Sequence, residues 1–524
     1  MNHPGRGSVT DRGWPVEMAC LARTRAQPAA AASQGSGYAA WPMARVLLVQ
    51  PPAATRNKGG SFAEPIGLEY VAAMLVSKGH EAPIVDAWVD GLDFDAVGAR
   101  VRELKPDVVG ITATSVLVPN AWRVARQVKA ISPDIPVVMG GAHAIYEPAW
   151  TLEEQAVDVA IVGEGEDAIL ELLDVWNGTG SLDDVAGIAY RGSDGRVVKT
   201  RGREYNDHLD RLPFPVRNDR HQAAYSLYEV VGKRGCPFRC TFCGASADHR
   251  KVRFRTPENV IEEVAELFGR YGKKKLYFND DVFTINKQWA HDFCDLLLRR
   301  GLDIEWECQT RVDLVDLPLL RKMKAAGCES VVFGIDAGNQ KNFDLLKKAI
   351  TVEQAYVSVR HAREAGMAVW CNFIMGYPWE THRDLQDTID LARGLDPHFA
   401  RFFIATPYPG SPLYEYAKER GIIKTLDLAA YSQDSGTTIL DLEHVTPEEL
   451  SRFVYRANML FYLRPQAFLK ALNGYRRQGR LKNLLRALPA FAEYLGRVRD
   501  HGSPVVAGAV PGNLPGEKEY RRGA

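Results

Sequence analysis

Twice along this chain, short apolar runs alternate with stretches long enough for amphipathic helices, and that alternation limits the possible folds more than any other feature. The first series has strand-like runs at Val46–Val49, Ala82–Val85, Val108–Ile111, Val137–Met139 and Val157–Val162. Between and after them lie helix-like stretches at Leu68–Lys78, Val97–Leu104, Ala121–Ile131 and Ala168–Trp176. Repeated βα units of this kind predict a parallel, doubly wound α/β sheet of flavodoxin or Rossmann type over residues 43–178. Ligands of such sheets sit beyond the strand C-termini. The loops expected there are rich in small residues: Gln50-Pro51-Pro52, Thr112-Ala113-Thr114-Ser115, Gly140-Gly141-Ala142-His143 and Gly163-Glu164-Gly165-Glu166.

The second series has strand-like runs at Tyr228–Gly232, Lys275–Asn279, Ile304–Gln309, Ser330–Ile335, Ala368–Met375 and Phe399–Ile404. Six βα units in succession predict a partial (β/α)6 barrel within residues 223–424, with its site at the strand C-termini. A polar connector with Gly, Ser and Pro turns is expected at 179–222, and a helical C-terminal region at 425–500 in which Arg and Lys outnumber acids. Residues 1–42 and 501–524 lack hydrophobic periodicity and are expected to be a disordered leader and tail. Met43 directly precedes the first strand-like run and is a candidate biological start.

Lys+Arg and Asp+Glu number 65 each, so the overall charge offers nothing to a nucleic acid partner. No run approaches the roughly 18–20 apolar residues of a membrane span, and the expected location is the cytoplasm. The basic helical region, interleaved with Phe461, Tyr462, Phe468 and Phe491, is expected either to cover the barrel mouth or to lie on an anionic membrane face.

Eight cysteines in 524 residues are too sparse for a disulfide scaffold, yet Cys236, Cys240 and Cys243 crowd into Gly-Cys-Pro-Phe-Arg-Cys-Thr-Phe-Cys-Gly after the barrel's first strand. Three thiolates hold three corners of a [4Fe–4S] cluster and leave the fourth iron open. Structural zinc prefers four closed ligands, and zinc with His249 as the fourth is the alternative, disfavoured because a three-cysteine loop after a barrel's first strand favours the cluster. Cys294, Cys308, Cys328 and Cys371 stand alone among apolar or helical neighbours and read as buried, inert thiols.

The cysteine loop, with Phe242 before its last cysteine, resembles that of the radical S-adenosylmethionine (SAM) superfamily. The resemblance implies that SAM chelates the open iron and that the reduced cluster splits it to a 5′-deoxyadenosyl radical. By the same resemblance Asn279, Asp280 and Asp281 bind the SAM amino group. Glu307, Gln309 and Arg311, spaced alternately on one strand face, reach the ribose and carboxylate. Asp336 stands where relatives often carry Glu, and Asn372, Gly376 and Pro378 resemble the adenine-contacting strand end. Taken singly, each has an ordinary reading as a cap, a surface ion-pair partner or a turn.

The first unit resembles the cobalamin-binding module attached to one large class of these enzymes. The resemblance carries cofactor contacts onto Gln50, Pro51, Thr112, Ser115, Gly140, Gly141, His143, Gly163 and Glu164. The Asp-x-His-x-x-Gly signature that supplies a cobalt ligand elsewhere is absent, so cobalt is expected to bind without that histidine. His143 is either a cofactor contact or an ordinary hydrogen-bonded loop residue, and a ligand-free flavodoxin-like fold is the competing account of the whole unit.

With a cluster, SAM and cobalamin together, the resemblance implies methylation of an unactivated carbon of a small-molecule or lipid-like substrate, through the deoxyadenosyl radical and methylcobalamin. Flavodoxin or ferredoxin is the expected electron donor. A cobalamin-dependent cyclase that modifies a ring oxidatively, like the anaerobic magnesium-protoporphyrin ester cyclase, is the second reading, and a corrinoid or iron–sulfur carrier without catalysis the third. RNA methylthiolation is disfavoured, because no cysteine falls between Cys20 and Cys236 to supply a second cluster.

Overall fold

The computed structural model describes residues 43–52, 64–217, 219, 225, 227–246, 251–272, 275–432 and 437–464. The leader, the tail, His249 and the basic stretch after residue 464 lie outside the described residues, and with them the expectation of a membrane-facing surface.

Strand β1 (Val46–Gln50) shows why the first unit is doubly wound: successive residues point to opposite faces, and both faces are buried. Leu47 and Val49 join one apolar cluster with helices Phe94–Leu104 and Val118–Ile131, whereas Val46 and Leu48 join another with helices Ile66–Ser77 and Gly165–Trp176. The sheet continues through β2 (Ile84–Asp86), β3 (Val108–Thr112), β4 (Val137–Gly140), β5 (Val159–Ile161), β6 (Ile188–Arg191) and β7 (Val197–Lys199), in the order β2-β1-β3-β4-β5-β6-β7. The first five are parallel in flavodoxin-like order. β6 and β7 pair antiparallel, so part of the expected connector belongs to this sheet. The Gly192–Gly195 turn is their hairpin, closed by Gly195 N donating to Gly192 O at 2.9 Å. β6 is too short, and β7 too short and too exposed, to show alternation, and β6 serves to cover the edge of β5.

The second sheet is built from β8 (Tyr228–Val230), β11 (Lys275–Phe278), β12 (Glu305–Thr310), β13 (Cys328–Gly334), β14 (Ala368–Met375) and β15 (Phe399–Ile404), all parallel and in sequence order. It is the expected partial barrel, open between β8 and β15. Between β8 and β11, β9 (Lys233–Arg234) and β10 (Arg253–Phe254) pair antiparallel, which makes the cysteine loop an excursion with a fixed base. Alternate strand residues such as Phe278, Trp306, Phe333, Val369 and Phe373 pack outward against the helices. Phe283, Phe293 and Trp306 surround Phe278 at 4.9–5.3 Å, a dense aromatic centre. The other set faces the barrel interior and is left for ligands.

Beyond β15, the part of the expected helical region that is described carries one long helix, Pro447–Tyr462, opened by a capping box between Thr446 and Glu449. Tyr462 Oη donates to Ala400 O at 2.7 Å and accepts from Ala400 N at 3.3 Å, which satisfies the edge of β15. Tyr414, Leu428, Tyr431 and Ile439 return to the apolar core of the first unit, so the chain's late segment grips its early domain. No helix among the described residues is long and apolar enough to cross a membrane.

The two units are also joined by buried charge. Arg217, from the connector, pairs with Glu64, with Glu69 at 3.0 Å and with Glu263 at 2.9 Å, and donates to Glu229 O at 2.7 Å. Burial opposes the charge of Arg217, but the carboxylates outweigh it and hold its pKa above the usual range, while burial raises that of Glu69. Replacing Arg217 by Met leaves clustered carboxylates without their counter-charge, so a loss of about 3–5 kcal/mol is expected at neutral pH. The loss should shrink as pH falls and the carboxylates take protons; thermal midpoints of both proteins between neutral and mildly acidic pH check this.

Candidate cofactor site

The C-terminal ends of β1, β3, β4 and β5 in the first sheet and of β8 and β11 in the second border one cavity of about 370 Å³. Its first wall is apolar and small: Leu48, Gly110, Thr112, Val138, Gly140, Gly141, Ile161 and Gly163. Its second wall comes from the barrel: Lys233, Arg234, Gly235, Arg253, Asn279 and Asp281. Each glycine there answers to geometry. At Gly163, φ is +128° and an added Cβ would meet nothing within 4 Å, so the backbone itself borders open space. At Gly141, φ is +94° and a Cβ would lie 2.7 Å from Ala113 O, so the loops after β3 and β4 close directly on each other. Thr112 and Gly140 border the cavity, whereas Gln50 is half-buried at the end of β1 and Pro51 is buried behind it.

Three of the expected contacts, Ser115, His143 and Glu164, have protein partners, and the first two lie away from the cavity. His143 is 1 % exposed; its Nδ1 meets Ser115 Oγ at 3.1 Å, and its ring stands edge-on to Trp150. Burial lowers its pKa to about 4 and leaves Nε2 without a partner, so the neutral ring packs the loops after β3 and β4 together. Glu164 reaches across the domain joint to Arg253 at 2.7 and 2.9 Å and to Arg234 at 3.1 Å. Burial works against its charge, but the two guanidinium groups prevail and hold its pKa below the usual value. Glu166 adds a bond to Arg234 at 2.7 Å. Glu164 is therefore a clamp between domains as well as cavity wall.

The three thiols lie half-buried in the loop between β9 and β10. Burial pushes all three pKa values up, that of Cys243 to about 11. Arg311 lies over Phe238, its Cζ 3.6 Å from the ring centre, with Nη1 4.0 Å from Cys240 Sγ. Asp313 accepts from the same guanidinium at 2.9 and 3.0 Å, which balances part of its charge. Among the described residues no three His, Cys, Asp or Glu side chains gather as around a single metal ion. A cluster asks for something different, one thiolate on each of three irons, and this all-sulfur donor set in a preformed loop fits it.

On the SAM side, Asn279 and Asp281 are exposed into the cavity, but Asp280 between them is fully buried. Asp280 accepts from Gly232 N at 2.7 Å, Lys233 N at 3.0 Å and Lys233 Nζ at 2.8 Å. That use corrects the expectation of a SAM contact: Asp280 anchors the base of the cysteine loop. Glu307 and Gln309 share the inner face of β12, as their alternation predicted. Asn372 Oδ1 on β14 is buried without a partner, an acceptor that suits a ligand N–H. Asp336, at φ +67°, is paired with Lys348. Gly376 has a φ of +91°, where a side chain is strained, and a Cβ there would also press on Leu450 Cδ2 at 2.4 Å. Pro378 is buried, and its carbonyl accepts from Glu443 N at 3.1 Å.

Residues 53–173 match the B12 binding domain family and residues 230–392 the radical SAM superfamily. The chain is 34 % identical over 454 residues to an uncharacterized methyltransferase of Pyrococcus horikoshii, covering 84 % of this chain and 98 % of that one. It is 30 % identical over 407 residues to the anaerobic magnesium-protoporphyrin IX monomethyl ester cyclase of Rubrivivax gelatinosus, covering 74 % and 72 %. The solved structure of OxsB, a cobalamin-dependent S-adenosylmethionine radical enzyme with aqua-cobalamin and SAM bound, shares the fold with a TM-score of 0.69 at 16 % identity, over 90 % of this chain and 78 % of that one. The chain belongs to the cobalamin-dependent radical SAM family.

The cofactors of this radical SAM protein are accordingly a [4Fe–4S] cluster, SAM and cobalamin; around them stand the thiols of the cysteine loop, which begins at the cavity-lining Gly235, and the residues of the cavity wall itself. Sequence reasoning missed several of them. Lys233, Arg234 and Arg253 line the cavity, and the adjacency of Arg234 to Gly235-Cys236 was the available signal. Lys348 lies near Cys240 through the turn that also brings Leu346 O to Thr241 N at 3.0 Å, and nothing in the sequence marked it. Glu380 accepts from Gly376 N at 2.7 Å and Tyr377 N at 3.1 Å; burial raises its pKa to about 8.

Replacing Cys236, Cys240 or Cys243 by Ala should abolish cluster uptake, seen as loss of iron and sulfide after anaerobic reconstitution; a variant that keeps a full cluster contradicts the assignment. For His143, whose ordinary pKa is 6.5, the unfolded chain binds the extra proton between pH 6.5 and about 4. Stability should therefore fall on acidification through that window and level off below it. His143→Phe should flatten this part of the pH dependence of the thermal midpoint.

Proposed function

We propose that the protein transfers a methyl group to an unactivated carbon of a small-molecule or lipid-like substrate. The observation that carries this reading is the single cavity walled by strand ends of both cofactor domains, which suits a reaction in which two cofactors act on one carbon. The bound cofactors supply a carbon-centred radical and a methyl group; the chain supplies position and a dry enclosure. On the inner face of the barrel Trp370, Ile374, Phe399 and Phe403 stand half-buried beside the polar Glu307, Gln309, Asn372 and Arg401, with Trp370 stacked on Phe399 at 4.0 Å, so the face offers apolar surface together with polar contacts. The Pyrococcus relative, named a methyltransferase, supports methyl transfer over ring formation. We place the reaction in the cytoplasm, with flavodoxin or ferredoxin as electron donor.

The test is anaerobic reconstitution with iron, sulfide and hydroxocobalamin, followed by reduction, SAM and mass spectrometry of the nucleosides. Bound corrin with both S-adenosylhomocysteine and 5′-deoxyadenosine is expected. 5′-Deoxyadenosine alone would move the reading to oxidative ring modification, the activity named for the Rubrivivax relative, and neither nucleoside would reduce the protein to a carrier.

A further inference from the structure

We propose that Tyr146 is a positioning residue that seals the open seam of the barrel beside the cluster and fixes the cobalamin-binding domain against the cysteine loop. The proposal rests on the cofactor reading above and goes beyond it to a residue that no motif marks.

A six-stranded barrel does not close, and here the gap falls between the edge strands β8 and β15. The cysteine loop follows the first of these, and Gly410 lies in the exit of the second. Their top ends are tied by one hydrogen bond, Leu413 N donating to Thr241 O at 2.8 Å. Tyr146 enters beside this tie from the other domain, as the last residue of the short helix Ala142–Tyr146 that follows β4.

Its ring touches both sides of the seam. A Cβ added to Gly410 would lie 2.3 Å from Tyr146 Cγ and 2.5 Å from its Cβ and Cδ1. A Cβ added to Gly244 would lie 3.0 Å from Tyr146 Cε2, 3.2 Å from Cζ and 3.4 Å from the hydroxyl oxygen. Gly244 adjoins Cys243, so one aromatic ring spans from the cluster loop to the exit of the last strand. Gly410, at φ +83°, needs glycine for its backbone as well, but Gly244 has no such conformational demand, and a side chain there would press on the ring, which would have to give by a few tenths of an ångström. A ring fixed in this way blocks an approach to the cluster that solvent and oxygen would otherwise have.

The test uses reconstituted holoenzymes with Tyr146→Phe, Tyr146→Ala, Gly244→Ala and the Tyr146→Ala/Gly244→Ala pair. Iron, sulfide, corrin and thermal midpoint are measured first, and then the decay of cluster absorption in air. Tyr146→Phe should decay at the wild-type rate, because the ring is kept. Tyr146→Ala with normal cofactor content should decay at least about fivefold faster. Gly244→Ala, which pushes the ring aside, should also decay faster. The pair should be no worse than Tyr146→Ala alone, because the two residues act through one contact. A wild-type decay rate in Tyr146→Ala, or independent, multiplying effects in the pair, overturns the proposal. Should Tyr146→Ala fail to fold, Gly244→Ala decides alone, and a wild-type rate there overturns it too. A wild-type protein that takes up no cluster would instead overturn the cofactor reading, and the proposal with it.

Discussion

The arrangement of this molecule depends on charges buried where its two domains meet. Arg217 sits in the connector with carboxylates from both sides: Glu64 and Glu69 from the first domain, Glu263 from the second. Arg255 shares Glu263, and its guanidinium also donates to Tyr70 Oη at 3.3 Å, so the network runs on into the first domain. Charges this well buried are tolerated only when paired in a fixed geometry, and a fixed geometry is what a two-domain site needs. An apolar joint of equal area would permit small slides; a fork of hydrogen bonds permits few. The burial that makes Arg217 expensive to strand also makes it a reference point for the angle between the domains.

Around the cavity the same device recurs closer to the chemistry. Arg234 and Arg253 are the two strands' worth of base beneath the cysteine loop, and both reach Glu164 in the first domain. The loop that holds the thiols is thus tied at its root to the domain that holds cobalamin. Asp280 and Lys233 fix that root from the barrel side, as a fully buried pair. Cluster loop and cobalamin loops are thereby held as one body although they come from different sheets. The late segment adds a second grip, with Tyr414, Leu428, Tyr431 and Ile439 in the core of the early domain.

Much of the fold was legible in the sequence because alternating polarity is a local property. The six barrel strands fall where their apolar runs stand, and Ala368–Met375 and Phe399–Ile404 match to the residue. The cysteine loop was legible for a similar reason: its spacing is chemistry written in adjacent residues. Glu307 and Gln309 followed from strand periodicity, and the structure keeps them on one face. What could not be read depends on contacts distant in sequence. Asp280 resembles its neighbours Asn279 and Asp281 in type, yet it alone points inward, because Lys233 and two backbone amides wait for it there. Glu164 and Gly376 carry residue types that suit cofactor loops, but Arg253 holds the one and Leu450 crowds the other, from 89 and 74 positions away.

These reassignments share a direction. Asp280 and His143, expected to touch a cofactor, hold loops together instead, and the groups that face the cavity are Asn279, Asp281, Glu164 and Glu166, small residues of the first domain and the cationic rim of the second. Radical chemistry makes sense of that economy. A reactive carbon radical attacks whatever lies near it, so selectivity must come from how closely the intended carbon is held and how well all else is excluded. A site built for that purpose commits its polar side chains to rigidity, behind the wall at Asp280 and Arg217 and within it at Glu164, and leaves little else polar facing inward.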